Sequence, residues 1–398
     1  MPAIIEMMCC YSTSHWIVRF LSALRRSHNG SAPVSRSAMA FAAVLITPLT
    51  LHAQAAPDTT LKISFGAFVD SYYAFDFNRP PTFDRAFTTQ PARHNEFNVN
   101  LAFAEVKLES PRVRGRLALQ AGTSVQSNYS GEPRNGTISG PDLARIIQEA
   151  VAGVKISDNT WVDGGIFFSH IGMEGFVSRD NPIYTRSLVA DYSPYYESGV
   201  RFGWQPSSYV TTTFVVVNGW QNISEFNSAK SVGARVDYAA TPRMTVSYYN
   251  YLGDEASDTA RNHQVRFYNG IGAKGTIGER FLLLSEVDYG VQELANGSGN
   301  ANWWGFTLIG GYQMTKSAAI VARLERYQDP HQVIVPTNTP NGLNTNGASI
   351  GLDVVPQPRV LWRTELRGYA NQTAVFPKRG SGTSKDDLLI VTSMALTF

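Results

Sequence analysis

The sequence predicts an all-β protein, a transmembrane antiparallel β-barrel of about sixteen strands with short periplasmic turns and long extracellular loops. Three observations carry this reading. Apolar and polar residues alternate with period two along most of the chain after residue 55. The connections between the alternating segments are by turns short and long, in strict succession. No apolar run after residue 55 approaches the ~18 residues that a membrane-crossing helix needs, so a chain that spans a membrane must do so with strands.

The first 55 of the 398 residues read separately. Residues 38–49 (AMAFAAVLITPL) form an apolar run of the size of an export-signal core, preceded by Arg25, Arg26 and Arg36 and followed by Ala53-Gln54-Ala55, an A-x-A cleavage pattern. A removable leader over 1–55 and a single barrel over 56–398 are therefore expected. Both cysteines, Cys9 and Cys10, fall in the leader, so the remaining chain gains nothing from disulfides and cannot build a thiolate metal site. Without the leader the chain carries 30 basic and 31 acidic residues, a net of −1, which gives no basic face for nucleic acid.

The strands announce themselves as two-faced segments. Leu61, Ile63, Phe65, Ala67 and Val69 alternate with Lys62, Ser64, Gly66 and Asp70. Phe97, Val99, Leu101 and Phe103 alternate with Asn98, Asn100, Ala102 and Ala104, and Val360, Trp362, Thr364 and Leu366 with Leu361, Arg363, Glu365 and Arg367. Short connections are expected near 109–114, 157–160, 206–209, 239–243, 277–280, 314–317 and 355–359, with Pro206, Pro242, Pro356 and Pro358 where no ladder donor is required. Longer polar links are expected near 78–94, 125–142, 171–192, 221–227, 253–262, 291–300, 330–343 and 372–384. Seven turns and eight loops make sixteen strands, with both chain ends on the short-turn side.

Period two by itself fits a soluble sandwich or a propeller equally well. Aromatic placement separates the choices. Trp161, Trp204 and Trp362 fall beside short turns, and Trp220, Trp303 and Trp304 beside long loops. With Tyr72, Tyr192, Tyr196 and Tyr248 they suggest two girdles at the membrane boundaries. The last segment puts Leu388, Ile390, Met394, Leu396 and the terminal Phe398 on one face. A terminal Phe on an amphipathic strand resembles the mark by which barrels are passed to the barrel assembly machinery, so Phe398 is expected to act as the assembly signal.

If the apolar faces meet lipid, the charges look inward. The candidate pore-lining residues are Glu197, Arg201, Arg235, Asp237, Arg266, Lys274, Glu286, Asp288, Arg323, Glu325, Asp353, Arg363, Glu365 and Arg367. Rows of opposite sign would order water and tune ion selectivity, and hydration would keep their cost low. Loop 171–192 mixes Ile, Phe, Tyr and Leu with Glu174, Arg179, Asp180, Arg186 and Asp191, too apolar for an ordinary surface loop. It is expected to fold into the lumen as a constriction; an extracellular cap or a contact between protomers is the other reading.

Chemistry is not signposted. His94, His170, His263 and His331 fall in or beside the predicted loops, far apart in sequence, and no catalytic or phosphate-binding motif occurs. Glu286 and Asp288 share a strand face, which a polar wall explains more simply than acid–base work. No catalytic residue, metal or other cofactor is expected.

Six segments resemble the OmpL-like outer-membrane β-barrel porins: FGAFVDSYYAFDFNRP (65–80), RHNEFNVNLAFAEVKLES (93–110), IIQEAVAGVKI (146–156), GGIFFSHIGMEGF (164–176), NPIYTRSLVADYSPYYESGVRFGW (181–204) and VVVNGWQNISEFNSAKSVGARVDY (215–238). Val151 stands where that family usually has an aromatic. The resemblance implies a passive pore of the bacterial outer membrane, with no catalytic residues to carry over. The expected function is a diffusion channel for small hydrophilic solutes or ions, surrounded by outer-membrane lipid and able to form a homo-oligomer. A barrel plugged by its loops and acting as a surface receptor or adhesin, and an outer-membrane hydrolase, are the alternatives.

Overall fold

In a computed structural model, residues 60–398 are described. The leader, its cysteines and the cleavage pattern lie outside the described residues.

Sixteen strands close into one antiparallel barrel. In chain order they are β1 (Lys62–Asp76), β2 (Phe97–Glu109), β3 (Val113–Ala121), β4 (Ile147–Ser157), β5 (Thr160–Phe168), β6 (Tyr196–Ser207), β7 (Val210–Val217) and β8 (Ser231–Thr241). There follow β9 (Met244–Asp254), β10 (Val265–Ile277), β11 (Phe281–Glu293), β12 (Asn300–Thr315), β13 (Ala318–Asp329), β14 (Leu343–Gln357) and β15 (Val360–Asn371). Two-residue strands β16 (Phe376–Pro377) and β17 (Thr383–Ser384) pair with each other inside the last loop, and β18 (Asp386–Thr397) completes the wall. Each barrel strand pairs with its neighbour in sequence, and β1 closes on β18, with Phe68 opposite Thr397 and Asp76 opposite Leu389. Closure leaves no sheet edge, the condition for a β-structure to stand in lipid.

All seven short turns and all eight long loops fall where the alternation placed them. The outward faces are apolar: Phe65 is 82% exposed and Leu324 60%, while their strand neighbours Gly66 and Glu325 turn inward. Pro206 and Pro356 sit not in the turns but inside the ends of β6 and β14, where the pairing register slips. A bulge is where a missing ladder donor costs least.

One face assignment is overturned. The β1–β2 register shifts between Asp70 and Ser71, leaving Asn100 as an extra residue in β2. An extra residue flips every later side chain to the other face. Leu101 is thus fully buried inside the barrel, and Phe103 stacks on inward-facing Phe68 with ring centres 5.4 Å apart.

The girdle reading is corrected too. Trp204, Trp362 and Tyr248 are exposed on the outer wall, and Trp304 shares that face, its indole N–H donating to Gln328 at 2.8 Å. Tyr72, Tyr196 and Trp303 point inward and are buried. Trp161 also faces the interior, beneath the Arg114 guanidinium at 4.4 Å. Tyr192 lies within loop 169–195, and Trp220 packs edge-on against Tyr251 and Tyr268. Proximity to a strand end says nothing about which face a ring takes, and the parity of the strand decides it.

Candidate functional site

The barrel interior is the candidate site, and the loop 169–195 between β5 and β6 occupies much of it. Its point of entry is prepared by Gly165, whose φ of +131° suits only glycine and where a side chain would meet the Ala150 carbonyl. From Phe168 the chain leaves the wall and crosses the lumen. It contains a 3-10 turn (Ser178–Asp180) and one helical turn (Leu188–Asp191) capped by the Ser187 hydroxyl.

Wall side chains hold this loop by its backbone. On the donor side, Arg235 reaches the carbonyls of His170 (3.1 Å) and Gly172 (2.7 Å), Arg323 that of Thr185 (2.6 Å), and Arg363 those of Ser178 and Asn181 (both 2.7 Å). On the acceptor side, Glu286 takes the Met173 N–H (3.1 Å), Glu365 that of Thr185 (2.8 Å) and Glu325 that of Leu188 (2.6 Å). A loop inside a barrel has no ladder partner for its N–H and C=O groups, so charged side chains take that part. The loop's own apolar residues fill the remaining space: Ile171, Met173, Ile183 and Leu188 join a buried cluster with Val321, Tyr327 and Tyr369 of the wall.

The wall charges also pair among themselves. Arg323 contacts Glu365 (3.1 Å) and Glu325 (3.4 Å), Arg367 contacts Glu325 (2.7 Å), and Arg363 contacts Asp353 (3.0 Å). Arg235 pairs with Asp237 at 2.9 Å and Arg266 with Glu255 at 3.5 Å. Glu286 and Asp288 share the Tyr249 hydroxyl, and Tyr268 also donates to Asp288. Lys274 reaches the Asp180 carbonyl at 3.3 Å. Glu197 accepts from Ser169 and meets the His170 ring at 2.8 Å. Where the sequence suggested hydrated charges, Glu286, Arg323, Glu325, Glu365 and Arg367 are sealed beneath the loop. Arg323, Glu325, Glu365 and Arg367 match one another in charge, which makes their burial tolerable, whereas Glu286 has no ion pair among the described residues and is held by the Met173 N–H and the Tyr249 hydroxyl.

Within the loop, Glu174 accepts the Ser187 N–H at 3.0 Å, and Arg186 is packed over the Tyr195 ring at 3.7 Å and paired with Asp191 at 3.3 Å. Arg179 reaches past the lumen to the Arg359 carbonyl and the Thr397 hydroxyl. Asp180 offers its backbone carbonyl to Lys274.

The sequence reading began its inward set at β6 and so missed the charges of β1 to β5. Asp70 accepts from Asn100 (2.8 Å) and from Ser178 of the loop (2.6 Å). Arg116 bridges Glu105 and Glu149, and Asp163 accepts from both Arg114 and Arg201. The same period two marks Arg114, Arg116 and Asp163, so the signal was present. The bulge at Asn100 hid Glu105.

Other loops close over the mouth by similar means. Arg85 of loop 77–96 bridges Asp76 (3.3 Å) and Asp387 (3.1 Å), which lie on β1 and β18. His94 of the same loop accepts the Asp76 N–H on Nδ1 at 2.9 Å, and burial, then Arg85 and Arg79, hold its pKa below the ordinary value. Glu132 gathers the N–H groups of Ile223 and Ser224 and the Tyr196 hydroxyl, and burial raises its carboxyl above the usual range. His170 has both ring nitrogens engaged, by Glu197 and by the Asn250 carbonyl (2.8 Å). His263 pairs with Asp254 at an exposed loop. Among the described residues, no cluster of three metal-ligating side chains occurs.

Comparison with known proteins places this architecture. The family model described as "Putative beta-barrel porin-2, OmpL-like" matches residues 62–398. Among solved structures, the chain is similar to an anion-selective porin from Comamonas acidovorans, at 10% identity and TM-score 0.56, over 85% of this chain and 100% of that one. It is similar to the outer membrane channel DcaP of Acinetobacter baumannii, at 11% identity and TM-score 0.58, over 85% and 97%. It is also similar to OmpF of Salmonella typhi, solved with daunomycin, at 12% identity and TM-score 0.57, over 85% and 98%. At these identities the likeness is one of fold. No curated protein sequence matches the chain.

Proposed function

Because the chain belongs to the OmpL-like β-barrel porin-2 family, we propose that it is a passive channel of the bacterial outer membrane, admitting small hydrophilic solutes or ions and narrowed from within by loop 169–195. The observation that carries the reading is the inward loop itself, held to β8, β11, β13 and β15 by charge-assisted bonds to its backbone. Interleaved arginines and carboxylates around such a constriction set a transverse field that acts on permeating solutes. The charged wall residues then act as pore lining and as tether for the constriction.

The proposal extends to biogenesis. The leader 1–55 is removed at export, residues 56–398 form one barrel in outer-membrane lipid, and Phe398 is read by the barrel assembly machinery. A catalytic role has no support in His170, whose ring is used on both sides to fix the loop.

The test is planar-bilayer recording of the refolded barrel under a salt gradient. Discrete steps are the expected result. A second reading, a loop-plugged surface receptor, is favoured by the complete burial of Ile183, Thr185 and Arg186 in the loop. A folded but silent barrel would select it.

A further inference from the structure

A cavity of about 410 Å³ lies in the lumen on the short-turn side of the loop's first residues. Three arginines line it, Arg114 of β3, Arg201 of β6 and Arg235 of β8, with one acid, Asp158, on an exposed turn where water screens it. Arg235 is paired with Asp237 at 2.9 Å and bound to the His170 and Gly172 carbonyls, so Arg114 and Arg201 are the cations that matter to the cavity. Asp163, the carboxylate partner of Arg114 and Arg201, does not line the cavity; it is fully buried behind the two arginines. Arg114 grips it with Nε (2.7 Å) and Nη2 (2.6 Å), and Arg201 with Nε (3.0 Å). Two guanidinium groups therefore share one negative charge, and the cavity sees the surplus.

The donors are also positioned. The Arg114 guanidinium lies 4.4 Å from the Trp161 ring centre and that of Arg201 4.8 Å from Phe167, so aromatic faces support both from the wall. Among the described residues, Nη1 of Arg114 and both Nη atoms of Arg201 have no hydrogen-bond partner, which leaves their N–H groups for a solute. Planar donor pairs of this kind match the two oxygens of a carboxylate. Trp161 and Phe168 add apolar surface to the same cavity, and its volume is that of a small-molecule site.

We propose that this cavity is a subsite for small organic carboxylates, which makes the channel anion-preferring; the selectivity rests on the pore reading, whereas the binding site does not.

The test combines calorimetric titration of the refolded barrel in detergent with bilayer recording. Benzoate is expected to bind and its neutral analogue benzamide not to. Joint Arg114→Gln and Arg201→Gln substitution is expected to weaken benzoate binding about tenfold or more. Because that variant strips Asp163 of its partners, Thr213→Glu serves as the second probe: it places a carboxylate in the cavity, leaves the Asp163 network intact, and is expected to abolish binding. Equal affinity for benzoate and benzamide, or unchanged benzoate affinity in Thr213→Glu, would overturn the subsite. In the bilayer, a conducting but cation-preferring pore overturns the inference and leaves the porin reading standing. A silent barrel that still binds benzoate does the reverse.

Discussion

Arg323 of β13 and Thr185 at the centre of loop 169–195 are joined by two hydrogen bonds of 2.6 Å, one to the Thr185 carbonyl and one to its hydroxyl. The same threonine gives its N–H and its hydroxyl proton to Glu365 on β15, at 2.8 and 2.7 Å. One loop residue is thus clamped between an arginine and a glutamate of the wall, with Arg323 and Glu365 themselves in contact at 3.1 Å. The clamp fixes the depth of the loop in the lumen.

Breaking that clamp is expected to be costly. Arg323→Ala leaves Glu325 and Glu365 buried with one cation fewer, and removing one member of a buried ion pair typically costs ~3–5 kcal/mol. Urea unfolding followed by tryptophan fluorescence measures the loss. A change below ~1 kcal/mol would mean that the wall relaxes around the gap and that the clamp does not fix the loop.

Deletion of residues 174–188 is expected to raise single-channel conductance, because it removes the segment that crosses the lumen while the sixteen-strand wall keeps its own ladder. Recordings of the deletion variant beside the parent decide this. Equal conductance would show that the permeation path runs elsewhere.

The fit of loop 77–96 is expected to depend on pH through His94. Its neutral Nδ1 accepts the Asp76 N–H at 2.9 Å, and its folded pKa lies below the ordinary histidine value. The stabilisation is therefore present above the unfolded value of about 6.5 and lost as pH falls through the lower folded one. Hydrogen exchange of this loop, corrected for the intrinsic pH effect, is expected to show lost protection on the acid side in the parent and a smaller loss in His94→Gln, which keeps the Arg85 bridges to Asp76 and Asp387. Flat protection in the parent would remove His94 as the cause.

Phe398 separates assembly from stability. Its side chain is 61% exposed and its N–H donates to the Ala67 carbonyl at 2.9 Å, so deleting it removes one hydrogen bond and little packing. The deletion variant is expected to refold in detergent with stability within ~1 kcal/mol of the parent and to reach the outer membrane poorly in cells. Normal surface levels would show that assembly does not read this residue.

Most of the wall was legible because a strand writes its two environments alternately along the chain. Glu365, Leu366 and Arg367 can be assigned to lumen, lipid and lumen from parity alone, and the structure buries the two charges and exposes the leucine. Parity fails where it is broken locally. Asn100 carries no mark that distinguishes a bulge from an ordinary polar strand residue, so Leu101, Phe103 and Glu105 could not be placed. Ring position failed for Trp161 and Trp303 for a related reason: both lie at the expected height, on the inner face.

The chain by itself determined the strand number, the two kinds of connection and the membrane-facing surface, because each is a local pattern repeated along the chain. Tertiary structure alone decided that Arg323, Glu365 and Thr185, 180 residues apart at the widest, meet at one point, and that Asp163 lies behind two arginines instead of beside them. Those relationships depend on closure of the sheet and on the path of a loop through its centre. Closure brings β3, β5 and β6 into register and the loop into reach of β13 and β15. An inward charge reads the same in sequence whether water, a partner or a solute will meet it, and only the packing around it chooses among the three.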